Sequence, residues 1–161
     1  MSETVPLDDP AALTGWIETR YHARHREQLP RIVELARRVE ATHAGHPRLP
    51  AGLAALLAEL LGEIEVHMRK EELILFPAMR RGGMPRIENP IAVMRADHDD
   101  HAGAIARIRQ LTENFTPPED ACASWRALYE ELAAFVAELE EHIRLENEVL
   151  FPRFDGVAAP G

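Results

Sequence analysis

The chain has 161 residues and a formal charge of −9, since 27 acidic side chains face 18 basic ones. A chain of this length builds one domain with its own apolar core. The negative charge, without a run of Lys or Arg, argues against binding to nucleic acid and against adhesion to an anionic membrane surface. We therefore expect neither nucleic acid nor a membrane as a partner.

Cysteine usage and hydropathy indicate the cellular compartment in which the protein is expected. The single cysteine, Cys122, excludes an internal disulfide and a metal site built from several thiolates. The opening residues lack the charged and then apolar pattern of a signal peptide. No apolar stretch approaches the roughly 20 residues of a membrane-spanning helix. The sequence thus predicts a cytoplasmic protein.

Four segments with helical periodicity follow one another, separated by stretches rich in Pro and Gly. They are predicted at about 8–41, 51–80, 91–115, and from the TPPED stretch at 116–120 to about 154. Long helices with short links predict an all-α, up-down-up-down four-helix bundle. We expect a single domain over 1–161, with the bundle at about 8–154. Pro30 lies inside the first segment and is expected to kink it or to start its main run.

The sequence contains an internal repeat. HMRKEELILFP begins at His67, and HIRLENEVLFP begins 75 positions later at His142. HARH begins at His22, and HDDH begins 76 positions later at His98. Each half therefore carries H-x-x-H on one helix and H-x-x-x-E-x-x-x-LFP on the next. This pattern predicts two matching helical hairpins that share one site.

The spacing of the longer motif places a histidine and a glutamate on one helix face, because residues four apart are neighbours there. An imidazole and a carboxylate side by side suit a divalent metal ion. A single such pair is more often a solvated surface couple, but its repetition in both halves favours a metal site. The two carboxylates can then bridge two cations about 3.5–4 Å apart, and each H-x-x-H contributes a further nitrogen.

The residues alone leave open which histidine of each H-x-x-H binds metal. At 100° per residue, His25 lies nearer the centre of the apolar face of the first helix than His22 does. The same holds, less clearly, for His101 compared with His98. Pro30 is expected to break the phase of the first helix, which would weaken this argument. The lack of thiolate ligands argues against structural zinc. Open coordination positions suit redox iron, with manganese or zinc as alternatives.

Five stretches resemble the hemerythrin-like, or HHE, domain, and within it the RIC (repair of iron centres) di-iron proteins. The stretches are YHARHREQLP, HMRKEELILFP, PIAVMRADHDDHAG, TPPEDACASW and HIRLENEVLFPR, which are distributed over 21–153. The resemblance implies a hemerythrin-like bundle with two iron ions in an oxo- and carboxylate-bridged centre. The implied ligands are His22, His67, Glu71, His98, His142 and Glu146.

The resemblance also implies a function. RIC proteins are non-haem di-iron proteins of the nitrosative and oxidative stress response, which bind or reduce nitric oxide or protect and repair iron–sulfur centres. The expected ligand is NO or O2, and the expected partner is an external electron donor or an iron–sulfur protein. The alternatives are a non-catalytic iron donor, an oxygen or NO sensor, and a peroxide-consuming enzyme. No catalytic residue is assigned outside the metal site, so enzymatic activity stays open.

The chain departs from the family pattern at two points. Longer RIC members carry an N-terminal domain with a paired-cysteine motif, and the roughly twenty residues before His22 contain no cysteine. Oxygen-carrying hemerythrins use an HxxxH pair, whereas position 102 is Ala102. Five residues are candidates for places beside the ligands, with His101 also a candidate fifth nitrogen ligand and the three carboxylates alternatively ordinary solvated side chains. They are His25, His101, Glu63, Glu138 and Asp97.

Overall fold

The computed structural model describes residues 4–157, so the ends of the predicted 1–161 domain lie outside the described residues. Within 4–157 the chain is helical and contains no strand. We label the four long helices α1 (residues 10–42), α2 (53–80), α3 (Glu88–Leu111) and α4 (123–155). The predicted all-α four-helix bundle is confirmed. None of the described helices is both long enough and apolar enough to cross a bilayer.

Three of the four helices contain a π-helical turn, in which one extra residue widens the helix. In α1 the turn Glu18–His22 joins Pro10–Ile17 to Ala23–Thr42. In α2 the turn Glu71–Leu75 joins Leu53–Lys70 to Phe76–Arg80. In α4 the turn Leu145–Leu150 follows Ala123–Arg144, and Pro152–Asp155 comes after Phe151. Every π turn therefore includes or adjoins a predicted metal ligand.

Two sequence-based boundaries need correction. The third helix ends at Leu111 rather than near Phe115, because Glu113, Asn114 and Phe115 all have positive φ angles, between 50° and 61°. A right-handed helix cannot continue through such residues. The TPPED stretch is a loop, and α4 begins only at Ala123.

Of the two outcomes expected for Pro30, a kink or the start of the main run of the first helix, the second is wrong. Residues Ala23–Thr42 form one α-helix with Pro30 inside it. Proline removes one backbone N–H and leaves the carbonyl four residues earlier without its partner. Both Pro30 and Arg26 lie on the exposed side of α1, so water can satisfy that carbonyl.

Side chains tie the first hairpin together at its turn. Gly52, with φ of +89°, precedes α2 in the left-handed conformation that glycine adopts without strain. The Glu40 carboxylate of α1 accepts hydrogen bonds from the backbone N–H groups of Gly52 and Ala54, at 2.7 and 2.9 Å. It thereby caps the N-terminus of α2, where backbone donors lack helical partners.

The apolar core has two parts with the histidines between them. The larger cluster includes Trp125, Leu132 and Phe135, and the smaller one is built around Phe76 and Phe151 of the two LFP motifs. The ring of His22 stacks on Phe76 and that of His98 on Phe151, each at 5.8 Å between centroids. The repeated phenylalanines therefore form the floor of a polar site inside the bundle.

Candidate metal centre

Six side chains from all four helices meet between the two apolar clusters, and each is at most 2% exposed. They are His22, His67, Glu71, His98, His142 and Glu146. Their donor atoms form two groups, and within each group all donors lie within 4.8 Å of one another. The first position comprises His22, Glu71, His142 and Glu146, and the second comprises His67, Glu71, His98 and Glu146. The two glutamates belong to both positions.

Each glutamate reaches one histidine of each position. Glu71 Oε1 lies 3.1 Å from His22 Nε2 and 3.5 Å from His67 Nε2. Glu146 Oε2 lies 2.8 Å from His142 Nε2, and its Oε1 lies 2.9 Å from His98 Nε2. Two carboxylates that each span both positions have the arrangement that a bridged pair of cations requires.

Four buried atoms at the centre that could bind a metal ion form no hydrogen bond. These atoms are Nε2 of His67, Nε2 of His98, Oε2 of Glu71 and Oε1 of Glu146. A buried polar atom without a partner costs about 1–3 kcal/mol, so four such atoms facing one another are unfavourable unless a ligand satisfies them. Imidazole nitrogens and carboxylate oxygens both donate electron pairs to cations. This set of ligand atoms therefore fits a divalent metal ion.

Burial controls the charge of these groups. Burial, together with the nearby His142, lowers the pKa of His22 to about 4, so the imidazole is neutral at pH 7 and keeps a lone pair. Burial and the neighbouring Glu146 raise the pKa of Glu71 well above its ordinary value. Burial also opposes ionisation of Glu146, but contact with His142 holds the pKa of Glu146 below its usual range. For both buried carboxyl groups to be ionised, a positive charge has to lie between them.

The outward-facing nitrogen of each histidine has a partner from a different helix. The Nδ1 partners are Glu72 for His22, Asp97 for His67, Asn147 for His98 and His25 for His142, at 2.8, 3.0, 2.8 and 3.1 Å. A carboxylate or amide oxygen accepts the Nδ1 proton and leaves the Nε2 lone pair pointing inward. Burial lowers the pKa of His25 to about 2, so His25 is neutral and its Nε2 can accept the Nδ1 proton of His142.

Comparison with known proteins agrees with this geometry. The family model of the hemerythrin HHE cation binding domain matches residues 17–154. The chain belongs to this family. It is also 50% identical over 141 residues to the iron-sulfur cluster repair protein YtfE of Yersinia pseudotuberculosis (strain IP 31758) and to that of Yersinia pestis (strain Pestoides F). The match covers 88% of this chain and 64% of each relative. The predicted resemblance to the hemerythrin-like domain is confirmed.

Within this hemerythrin HHE domain, the residues predicted beside the ligands have different surroundings. His25 and Asp97 each contact a histidine of the centre. His101 is 3% exposed and its ring lies edge-on to that of His67 at 5.2 Å, but it belongs to neither donor group. Glu63 is exposed on a cleft between α2 and α3. Glu138 forms ion pairs with Arg20 and Arg24 of α1 instead of facing the centre.

Sequence reasoning missed two residues of the centre, Glu72 and Asn147. Each directly follows one of the shared glutamates, and the two positions are 75 apart, as the repeat requires. The repeat could therefore have identified them as a matched pair, although one is a carboxylate and the other an amide.

The π turn in α1 explains why periodicity favoured His25. His22 follows the fully buried Ile17 by five residues, whereas His25 precedes the fully buried Leu29 by the ordinary four. The extra residue rotates the earlier part of the helix relative to the later part by about 100°. Both histidines thus face the interior, and the phase shift comes from residues 18–22 rather than from Pro30.

Proposed function

We propose that this chain holds two iron ions, one at each position of the centre, and that it acts in the nitrosative and oxidative stress response. Its ligands would be His22, His67, Glu71, His98, His142 and Glu146. The observation that carries the proposal is the pair of buried glutamates that both positions share. The name of the similar YtfE proteins, iron-sulfur cluster repair protein, supports a role in protecting or repairing such clusters.

Each position offers two imidazole nitrogens and two carboxylate groups. This mixed set is typical of non-haem iron sites and leaves coordination positions for a small molecule such as NO or O2. When bound, the irons would supply one-electron redox chemistry at those open positions. The protein orients the Nε2 atoms of the four histidines inward. The apolar floor of Phe76 and Phe151 limits access of water to the site.

The reductive version of the proposal requires an electron source. Conversion of two NO molecules to nitrous oxide and water consumes two electrons and two protons, so an external reductase or reduced protein has to supply the electrons. Repair of a damaged cluster likewise requires an iron–sulfur protein as partner. Both partners are part of the proposal.

Iron loading tests the metal part of the proposal. Protein purified from iron-replete cells is expected to contain about two irons per chain and no haem, because six protein donors serve two positions. Its oxidised form should absorb in the near ultraviolet as oxo-bridged ferric pairs do. Metal analysis and an absorption spectrum check this. One tightly held ion per chain, or zinc alone, would contradict the proposal.

The functional part is tested with the iron-loaded, reduced protein. Rapid mixing with NO is expected to change its spectrum and, with a reductant in excess, to release nitrous oxide detected by gas chromatography. In parallel, an NO-damaged iron–sulfur enzyme should regain activity in its presence. Metal-free protein is the control in both assays. Binding of NO without nitrous oxide and without recovery of the enzyme would contradict the proposed reduction and repair, and would leave the non-catalytic donor or sensor and the peroxide-consuming enzyme as alternatives.

A further inference from the structure

The partners of the matched histidines His22 and His98 break the two-fold repeat of the centre. Their Nδ1 atoms contact Glu72 and Asn147, which occupy equivalent positions on α2 and α4. One partner is a carboxylate and the other is an uncharged amide. Only the first position therefore receives a negative charge through this pair.

In the other matched pair, His67 and His142, the carboxylate partner belongs to the second position. His67 is held by Asp97, the residue before His98. The residue equivalent to Asp97 in the first half is Tyr21, which stacks on the ring of His142 at 5.5 Å, and His25 occupies Nδ1 of His142 instead. A carboxylate thus supports the second position through His67, and a neutral imidazole supports the first through His142. Each position has one carboxylate partner in total.

The two carboxylate partners differ in their own surroundings. Arg26 of α1 donates two hydrogen bonds to Glu72, at 2.7 and 2.8 Å. Arg26 also contacts Glu65, which in turn pairs with Arg69. These two arginines and two glutamates form a cluster of zero formal charge. The carboxylate behind His22 is therefore neutralised.

Asp97 has no such partner. Within residues 4–157 no arginine or lysine comes within ion-pair distance of its carboxylate, which is 27% exposed and contacts His67. Asp97 lines a cleft of about 500 Å³ between α2 and α3, together with Glu59, Glu63 and Asp100. Lys70 is the basic residue of that lining, so the surroundings of Asp97 are negative.

We propose that the two positions are unequal, and that the second position, His67 and His98, binds a divalent cation more tightly and fills first. This inference rests on the proposed two-metal function. An uncompensated carboxylate makes the imidazole it holds a stronger donor and adds attraction for the cation. Loss of such partners typically costs about 10–100-fold in metal affinity. We expect the two dissociation constants to differ by about tenfold.

Calorimetric titration of the metal-free full chain with cobalt(II) measures both constants. Asp97→Asn keeps an oxygen acceptor for the His67 Nδ1 proton but removes the charge, and it should weaken the tighter event about tenfold. Arg26→Gln frees the charge of Glu72 and should strengthen the weaker event. Asp97→Asn should raise the smaller dissociation constant and Arg26→Gln should lower the larger one, so each substitution makes the two constants more nearly equal.

Three further variants make the assignment and control for the general charge of the cleft. His98→Ala should remove the tighter event and His22→Ala the weaker one. Asp100, which within the described residues makes no hydrogen bond to a histidine, lines the same cleft; Asp100→Asn removes an equal charge there and should leave the ratio of the constants near that of the wild type. Circular dichroism of each metal-free variant checks that the bundle is folded.

The outcomes separate this inference from the proposed function. Equal constants in the wild type would overturn the inequality. Weakening of the weaker event by Asp97→Asn, or the same effect from Asp100→Asn, would overturn its assignment to the Asp97 carboxylate. Each of these outcomes leaves a two-metal centre. Uptake of fewer than two cobalt ions per chain would overturn the two-metal proposal itself.

Discussion

Glu71→Ala is expected to reduce the metal content from two ions per chain to one or none. The Glu71 carboxylate is fully buried and lies near histidines of both positions. Without it, two cations about 3.5–4 Å apart would lose half of the negative charge that separates them, and their repulsion would rise accordingly. Metal analysis after iron loading measures the effect. Glu146→Ala should behave in the same way.

The same substitution should lower the melting temperature of the metal-loaded protein. Metal that binds only the folded state stabilises it, and the stabilisation disappears with the metal. In the metal-free state the difference should shrink, because Glu71 then faces Glu146 in a buried site without a cation. Thermal unfolding with and without metal separates the two contributions.

Two variants control for packing and surface effects. Glu71→Gln keeps the volume and one oxygen but removes the charge, so it should resemble Glu71→Ala in metal content. Glu148→Ala, two residues from Glu146 but exposed and paired with Arg144, should retain two ions. A Glu71→Ala protein with two irons and the wild-type spectrum would disprove the bridging assignment.

His22→Ala and His98→Ala are each expected to empty one position, whereas His25→Ala and His101→Ala should leave iron content near wild type. The Nε2 atoms of His22 and His98 face the shared glutamates at 3.1 and 2.9 Å. His25 contacts only the outer nitrogen of His142, and His101 lies beside the ring of His67. Iron per chain in the four variants tests this assignment.

The two variants expected to retain iron should still differ from each other. His25→Ala removes the hydrogen-bond partner of a histidine in the centre, so metal affinity should fall by about 10–100-fold. His101→Ala removes no hydrogen bond that orients a ligand and should change affinity less. If His25→Ala emptied a position while His22→Ala did not, helical phase would be the better guide and the assignment would be wrong. Metal loss in all four would indicate a centre richer in nitrogen.

The pairing of His67 with Glu71 could be predicted from sequence because it depends only on positions four apart in one helix. The bundle could be predicted for the same reason, since apolar periodicity and Pro- and Gly-rich links are local. The choice between His22 and His25 could not, because the π turn that brings both inside depends on packing against the other helices. The end of α3 was also missed, since three consecutive non-glycine residues with positive φ are rare.

The place of Glu146 on the fourth helix has a consequence for when, during synthesis, the chain could bind metal. Glu146 belongs to both positions and lies on α4, as does the partner of His98. During synthesis, neither position is complete until that helix has left the ribosome and docked against the other three. A nascent chain that ends before α4 lacks His142 and Glu146 and therefore offers each position only part of its donor atoms. Metal binding at the proposed centre would therefore require the finished bundle and would report that α4 is in place.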